Sequence, residues 1–449
     1  MAKNLNMTEG KPAKLLFFFA LPLMFGNVFQ QLYTVVDTAI VGQGVGMTAL
    51  AALGTVDWLN WMMLGIAQGY SQGFSVRVSQ KFGEGDQKGL RQIIGQSARL
   101  AIILAILCTV LGQIALPGFL FILRVPADLV EMASLYTRII IAGIPAVMFY
   151  NYCASILRAI GNSKTPLKAM VGAAVTNIVL DLLAVFVLHW GIAGAALATV
   201  VAQCLSGCIC AVKIKQTPEL HFGKDDMKRD ASLENNLIMI GTPAAMKNII
   251  ISLGGMSVQS IVNGFGMSFI AGFTATNKLY GLLEIAAISY GYAVTTYVGQ
   301  NYGANKLDRI KKGVRSASFL AVGTSLVIAI LMFLFGRNIT MLFISADSAE
   351  LVAAAGNTAY LYLCIMSSFL PILYLLYVFL SAIQGMGNTV VPMISGIVEF
   401  IMRVGISFVI GYTGYANGIF GAEVMAWIGA TIYLYINYRR IIGKRESLS

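Results

Sequence analysis

Apolar runs long enough to cross a lipid bilayer recur along this whole chain, and that feature limits its fold more than any other. A helix needs about 20 apolar residues to span the hydrocarbon core. Twelve candidate spans are readable: 14–40, 49–74, 93–117, 131–157, 167–189, 191–212, 236–262, 269–297, 315–335, 353–383, 391–412 and 416–438. In lipid every backbone N–H and C=O must find its partner inside the protein, and runs of this length manage that as helices. The predicted class is an all-α polytopic membrane protein with twelve transmembrane helices. Composition agrees, with 57% hydrophobic and 11% charged residues among 449 and a mean hydropathy of +0.76. An average soluble domain is about 25% charged, and disorder needs the opposite bias. The first run follows Lys11 and Lys14 without an Ala-x-Ala cleavage pattern, so it reads as a retained span.

An even number of spans puts both termini on one side, and the basic residues say which. Of 31 Lys and Arg, 24 fall in loops on the side of the N-terminus and only Arg124 and Arg337 fall in the opposite loops. The other five (Arg99, Arg138, Lys247, Lys278, Arg403) lie within or at the ends of spans. The positive-inside rule then predicts a multi-pass protein of the cytoplasmic membrane with both termini in the cytoplasm. The net charge of +11 is therefore a record of topology, and no nucleic-acid partner is expected.

The longest polar connection, 213–235, falls at the middle of the chain. It predicts an N-terminal six-helix lobe over 1–212, a cytoplasmic linker over 213–235 and a C-terminal six-helix lobe over 236–449. The halves also resemble each other. Gln80-Lys81-Phe82-Gly83 matches Gln300-Asn301-Tyr302-Gly303 at an offset of 220. Gly161-Asn162-Ser163-Lys164-Thr165-Pro166 matches Gly387-Asn388-Thr389-Val390-Val391-Pro392 at 226, and Leu21-Pro22 with Asn27 matches Thr242-Pro243 with Asn248 at 221. Six spans per repeat give both halves one orientation, so a pseudo-two-fold along the membrane normal is expected. Secondary transporters often use such repeats, with substrate bound between them and alternating access.

Acids inside spans cost about 2.5–3.5 kcal/mol on insertion scales and mark interior or water-facing positions. The deepest are Asp37, Asp181, Glu284, Glu399 and Glu423. Asp37 aligns with Val258 of the second half and Asp181 with Ser407, and chemistry present in only one half looks like coupling rather than fold maintenance. Asn177 and Asp181 are four apart on one helical face, and Gln30, Tyr33 and Asp37 share another. If Asp37 and Asp181 face one cavity they make a proton site, because two neighbouring buried acids do not ionise together. The same oxygens with the Asn177 amide and a hydroxyl could enclose Na⁺, and either Asp could instead be hydrogen-bonded structurally near a helix end. Glu399 and Arg403 have the favourable i, i+4 order, which predicts a self-neutralising pair or, alternatively, a substrate or coupling role. Glu284 is assigned to the substrate cavity with Glu399 and Arg403, while Asp57, near the opening of span 2, reads as hydrated. Phe149 and Tyr150, with Tyr152 and beside Asn151, could line a cavity for flat organic cations or simply pack. Gly65, Gly69 and Gly73 form a small-xxx-small stripe for close helix packing.

Several chemistries are excluded. Six Cys include a C-x3-C-x-C that fits no zinc or thioredoxin spacing, and the two His lie apart, so structural thiols are expected. There is no G-x4-G-K-[ST], H-E-x-x-H or G-x-S-x-G, and Gly42-x-Gly44-x-Gly46 lacks both the strand and the spacing of a dinucleotide site. No enzyme and no cofactor are expected, beyond H⁺ or Na⁺ as a coupling ion.

The ordered motifs Val36-Asp37-Thr38-Ala39-Ile40-Val41-Gly42, Ala49-Leu50-Ala51-Ala52-Leu53-Gly54, Arg158-Ala159-Ile160-Gly161-Asn162, Asn177-x3-Asp181, Gly194-Ala195-Ala196-Leu197-Ala198-Thr199 and Gln300-Asn301-Tyr302-Gly303-Ala304 resemble those of multidrug and toxic compound extrusion (MATE) transporters. The resemblance covers almost the whole chain. It implies a V-shaped pair of six-helix lobes, in a monomer, exporting amphipathic and often cationic drugs in exchange for H⁺ or Na⁺, with drug-like molecules and membrane lipids as partners. It further implies the DinF-like branch, whose N-lobe cation site matches Asp37, Asn177, Asp181 and Thr199, with Gln30 and Tyr33 on the cavity. Span 7 carries Lys247 and Asn248 and no acid in its core, unlike the NorM-like branch. A lipid-linked saccharide flippase of the same superfamily is the alternative, which Arg138, Lys247, Lys278 and Arg403 would serve. A polytopic membrane enzyme is the other.

Overall fold

The computed structural model describes residues 6–123, 125–341, 344, 349–414 and 416–447; Lys3 and Arg124 of the basic-residue census lie outside them. Thirteen α-helices follow in order: α1 Pro12–Gly44, α2 Met47–Glu84, α3 Gln87–Ile122, α4 Val130–Ala142, α5 Ile144–Ala159, α6 Lys164–Leu182, α7 Gly191–Lys215, α8 Ala231–Val262, α9 Met267–Gly303, α10 Leu307–Met341, α11 Ala349–Gly385, α12 Val390–Thr413 and α13 Ile419–Glu446. Among the described residues ten elements are long and apolar enough to cross a membrane, and the α4–α5 pair makes an eleventh. Helix α9 has the length, at 37 residues, but carries Lys278, Glu284 and several hydroxyl side chains along it. The chain is an all-helical polytopic membrane protein.

Two of the expected spans are not the single regular helices the apolar runs suggested. Span 4 is bent by 44° between α4 and α5. The cause is local: Pro145 has no N–H to give the preceding turn, and a Cβ at Gly143 would overlap Val200 of α7. Span 5 ends its regular α-helix at Leu182 and continues as one π-helical turn, Leu183–Val187. Extra-residue turns of this kind are rare and occur often at functional sites.

The residues divide into two compact units. One holds the segment up to Glu9, Leu21–Ile249 and Gly299–Lys306; the other holds Gly10–Ala20, Ile250–Val298 and Leu307–Ser449. In the first unit the glycine stripe of α2 meets the start of α8. A Cβ at Gly69 would lie 2.5 Å from Ala245 Cα and one at Gly73 would lie 2.6 Å from Gly241 Cα, while Asn248 donates its amide to the Gly65 carbonyl at 2.8 Å. Without a hydrophobic driving force between helices in lipid, such small residues let dispersion contacts form at backbone distance.

The repeated Gln-x-x-Gly motifs meet in the same unit. A Cβ at Gly83 would overlap the Gln300 carbonyl, and one at Gly303 would overlap the Gln80 carbonyl, a reciprocal contact between equivalent residues of the repeat. The N-terminal segment is tied to it: Met7 N–H donates to Gln300 Oε1 at 2.9 Å, and Asn301 Nδ2 donates to the Met7 carbonyl at 2.9 Å. The connection 213–235 is docked against α3. Gln96 Nε2 donates to the carbonyls of Asp226 and Lys228, Arg99 pairs with Glu234 at 3.0 Å, and Leu220 is fully buried. Among the described residues all six cysteines are unpaired.

Candidate functional site

Two glycines of α1 bring its acid to that of α6. A Cβ at Gly26 would sit 2.9 Å from Met170 Sδ and 3.7 Å from Leu167 Cα, and one at Gly44 would overlap Val185 in the π-helical turn. The two helices therefore run side by side from residues 26 and 167–170 to residues 44 and 185. Both rise about 1.5 Å per residue, so Asp37, seven before Gly44, falls level with the 177–181 stretch of α6. The shared face of Asn177 and Asp181 meets the shared face of Tyr33 and Asp37.

The result is a pair of acids in the interior of the first unit. Asp181 is 0% exposed and Asn177 1%. The Asp37 carboxyl lies against that of Asp181, within reach for one proton to bridge them. Asn177 Nδ2 donates to Thr199 Oγ1 of α7 at 3.5 Å, and the Thr199 hydroxyl donates to the Ala195 carbonyl at 3.2 Å. Both carboxyl oxygens of Asp181, Oδ1 of Asp37 and Oδ1 of Asn177 are buried and accept no hydrogen bond among the described residues. Each buried acceptor left so costs about 1–3 kcal/mol, and here four of them converge. Among the described residues no three His, Cys, Asp or Glu side chains gather as a metal site. The donor set is two carboxylates, an amide oxygen and a hydroxyl, all hard oxygens of the sort that bind hard cations.

Two members of this site were not read from the sequence. Tyr33 is within hydrogen-bonding reach of Gln203 as well as Gln30, and Gln203 lies one turn beyond Thr199 on α7, a spacing that could have found it. Tyr136 of α4 lies in the electrostatic field of Asp37, Asp57 and Asp181; no local pattern marked it. Gln30 is exposed, as is Asp57. Phe149 covers Gly207 of α7, Tyr150 lies in the apolar core of the first unit, and Tyr152 donates to the Ile94 carbonyl at 2.7 Å. Asn151 gives its amide to the Val147 carbonyl at 2.9 Å. For Tyr150 and Tyr152 the packing alternative describes their surroundings.

The second unit holds a different acidic cluster. Arg403 of α12 is 6% exposed and donates to Glu423 of α13 at 2.7 Å, closer than to Glu399 at 3.8 Å. The expected i, i+4 pair is thus one side of a three-membered set. The stronger partner lies twenty residues away on the neighbouring helix, where no spacing rule would find it. Trp427 Nε1 donates to Glu423 Oε1 at 3.2 Å, and the Tyr280 ring stacks on Trp427 with centroids 5.9 Å apart. Glu284 accepts from Tyr280 at 3.4 Å and from Tyr377. Two carboxyl groups here face one guanidinium, and the third, Glu284, is held by tyrosine hydroxyls.

The MatE family model matches residues 22–183 and 243–409, so its two stretches begin at Pro22 and Pro243, 221 apart, in register with the repeat read from the sequence. Among curated relatives, the probable multidrug resistance protein YoeA of Bacillus subtilis is 28% identical over 75% of this chain and 74% of its own length. The probable multidrug resistance protein NorM of Thermotoga maritima is 24% identical over 91% of this chain and 87% of its own. Among solved structures, a MOP superfamily transporter from Pyrococcus furiosus, described as having a binding pocket of reversed polarity, superposes with a TM-score of 0.92. It is 23% identical, covering 99% of this chain and 98% of that one, a likeness of fold. On the strength of a family match across most of its length, this chain belongs to the MatE family of membrane transporters.

Proposed function

We propose that the chain is a secondary active multidrug efflux transporter that exports amphipathic and cationic organic compounds in exchange for H⁺ or Na⁺. Family membership and relatives named for multidrug resistance support the class of activity. The observation that carries the coupling mechanism is the pair of interior acids, Asp37 and Asp181, whose buried oxygens have no cationic partner among the described residues. One proton shared by the pair, or one Na⁺ ligated by Asp37, Asn177, Asp181 and Thr199, satisfies those oxygens. Membership of the DinF-like branch belongs to this proposal, because its implied cation site is the one that these residues match.

In the proposed cycle the site takes a cation from the outer medium while drug leaves, and releases it to the cytoplasm while drug enters. Each cation moving inward contributes about 2.3 kcal/mol per 100 mV of membrane potential. The cluster of Glu284, Glu399 and Glu423 around Tyr280, Tyr377 and Arg403 suits positively charged cargo, and the basic loops support a cytoplasmic position for both termini. The flippase reading needed a basic cavity; Arg403 is instead held by Glu423 and Glu399, which argues for export of cations.

The test is ethidium efflux from proteoliposomes energised by a pH gradient or a Na⁺ gradient in turn. Wild-type protein should respond to at least one, and Asp37→Asn and Asp181→Asn should not. Undiminished gradient-driven efflux in both variants would refute the assignment.

A further inference from the structure

A cleft at the basic end of α10 and α13 has no role in the coupling site or the acidic clusters. Both helices pack against α11, and between them lies a cavity of about 590 Å³. One face of α10 (Lys311, Arg315, Phe319) and one of α13 (Tyr435, Arg439, Glu446) line it at spacings of four and seven, with Phe379 of α11 also lining it. The lining is layered along the helix axes. At the end, Lys311 is held by Glu446 at 2.6 Å and Asp308 at 3.0 Å, so these charges are spent on one another. Next come Arg315 and Arg439, both exposed and in no ion pair among the described residues. Deeper lie aromatic rings: Phe379 meets Tyr435 edge-on at 5.3 Å and Tyr438 at 5.7 Å, and the Arg315 guanidinium sits 5.8 Å from the Phe319 centroid.

We infer that this cleft binds an anionic phospholipid, with its phosphate between Arg315 and Arg439 and its upper acyl chain over Phe319, Tyr435 and Phe379. The order of the layers matches the ligand: basic side chains at headgroup level, aromatic side chains immediately below, and apolar helix surface further in. Phe319 is 69% exposed and Tyr435 45%, so the mouth opens sideways along α10 and α13, the direction from which a lipid enters. Guanidinium groups take phosphate oxygens bidentately, and basic pockets between transmembrane helices hold anionic headgroups. The cavity volume lies within the usual range for a bound small molecule. A soluble phosphate compound would use the two arginines and leave the aromatic floor unexplained.

The test places a reporter in the cleft. Phe319→Trp protein is reconstituted in mixtures of phosphatidylcholine with brominated phosphatidylglycerol or brominated phosphatidylcholine, and wild-type fluorescence is subtracted. Each arginine near a headgroup is worth about 1 kcal/mol, so preference for the anionic lipid should be roughly 25-fold, at 1.4 kcal/mol per tenfold. Arg315→Gln/Arg439→Gln in that background should remove it, and Lys312→Gln/Lys444→Gln, changing exposed lysines that do not line the cleft, should keep most of it. Equal quenching by the two brominated lipids would overturn the inference whether or not the arginine variant folds. So would preference that survives the arginine substitutions, or preference abolished by inorganic phosphate.

Discussion

The chain buries acids in both of its compact units and treats them in opposite ways. In the second unit Glu399 and Glu423 keep a resident guanidinium, Arg403, within 3.8 and 2.7 Å, and Glu284 has two tyrosine hydroxyls. In the first, Asp37 and Asp181 lie against each other, and both oxygens of Asp181 and Oδ1 of Asp37 are buried with no other partner among the described residues. A covalently tethered cation makes a permanent pair; acids without one need a cation that can come and go. On the proposed reading the contrast separates a structural ion set from an exchangeable one, although both consist of carboxylates on apolar helices.

The largest expected effect breaks the exchangeable side. Asp181→Asn should reduce gradient-driven efflux to the level of protein-free vesicles while thermal unfolding in detergent stays within about 1 kcal/mol of wild type, because a neutral amide relieves the need for a cation. The next breaks the resident side. Arg403→Met strands two buried carboxylates and should cost about 3–5 kcal/mol in chemical unfolding, whereas Glu399→Gln/Arg403→Met/Glu423→Gln should recover most of that loss. If the single Arg403 substitution proved harmless, the two clusters would not differ as described.

A packing lesion supplies the baseline for both. Gly303→Ala pushes a methyl group into the Gln80 carbonyl and should cost about 1–3 kcal/mol, leaving the dependence of efflux on cation unchanged. Gly323→Ala, with open space around it, is its control. The smallest effect sharpens the coupling site itself. Thr199→Val removes one hydroxyl worth about 1 kcal/mol and should weaken the apparent cation affinity roughly fivefold in concentration-dependent efflux, with maximal rate retained.

The membrane made most of the fold legible. Each span must satisfy its own backbone, so apolar run length reported helix position well, and the lack of acids at Val258 and Ser407 marks the acids of the first half as distinct. Local backbone departures were harder to read. Gly143-Ile144-Pro145 displayed its helix-breaking residues openly and yet sat inside an unbroken apolar run, while nothing in Leu183–Val187 announces a π-helical turn. Tertiary neighbours were the least readable of all. Asp37 and Asp181 could be paired because each shares a helical face with other polar residues, but Tyr136 and Glu423 reach their partners from separate helices. The glycines at 26 and 44, whose small size sets the distance between α1 and α6, carried no polar signal.

The central claim is that Asp37 and Asp181 exchange a cation, and infrared difference spectroscopy of ¹³C-aspartate-labelled protein in liposomes tests it most directly. Stepping pH or Na⁺ should convert an aspartate carboxyl band between its protonated or ligated form and its free carboxylate form, and that band should vanish in Asp37→Asn/Asp181→Asn. A spectrum indifferent to both cations, or a band unchanged by the double substitution, would contradict the account.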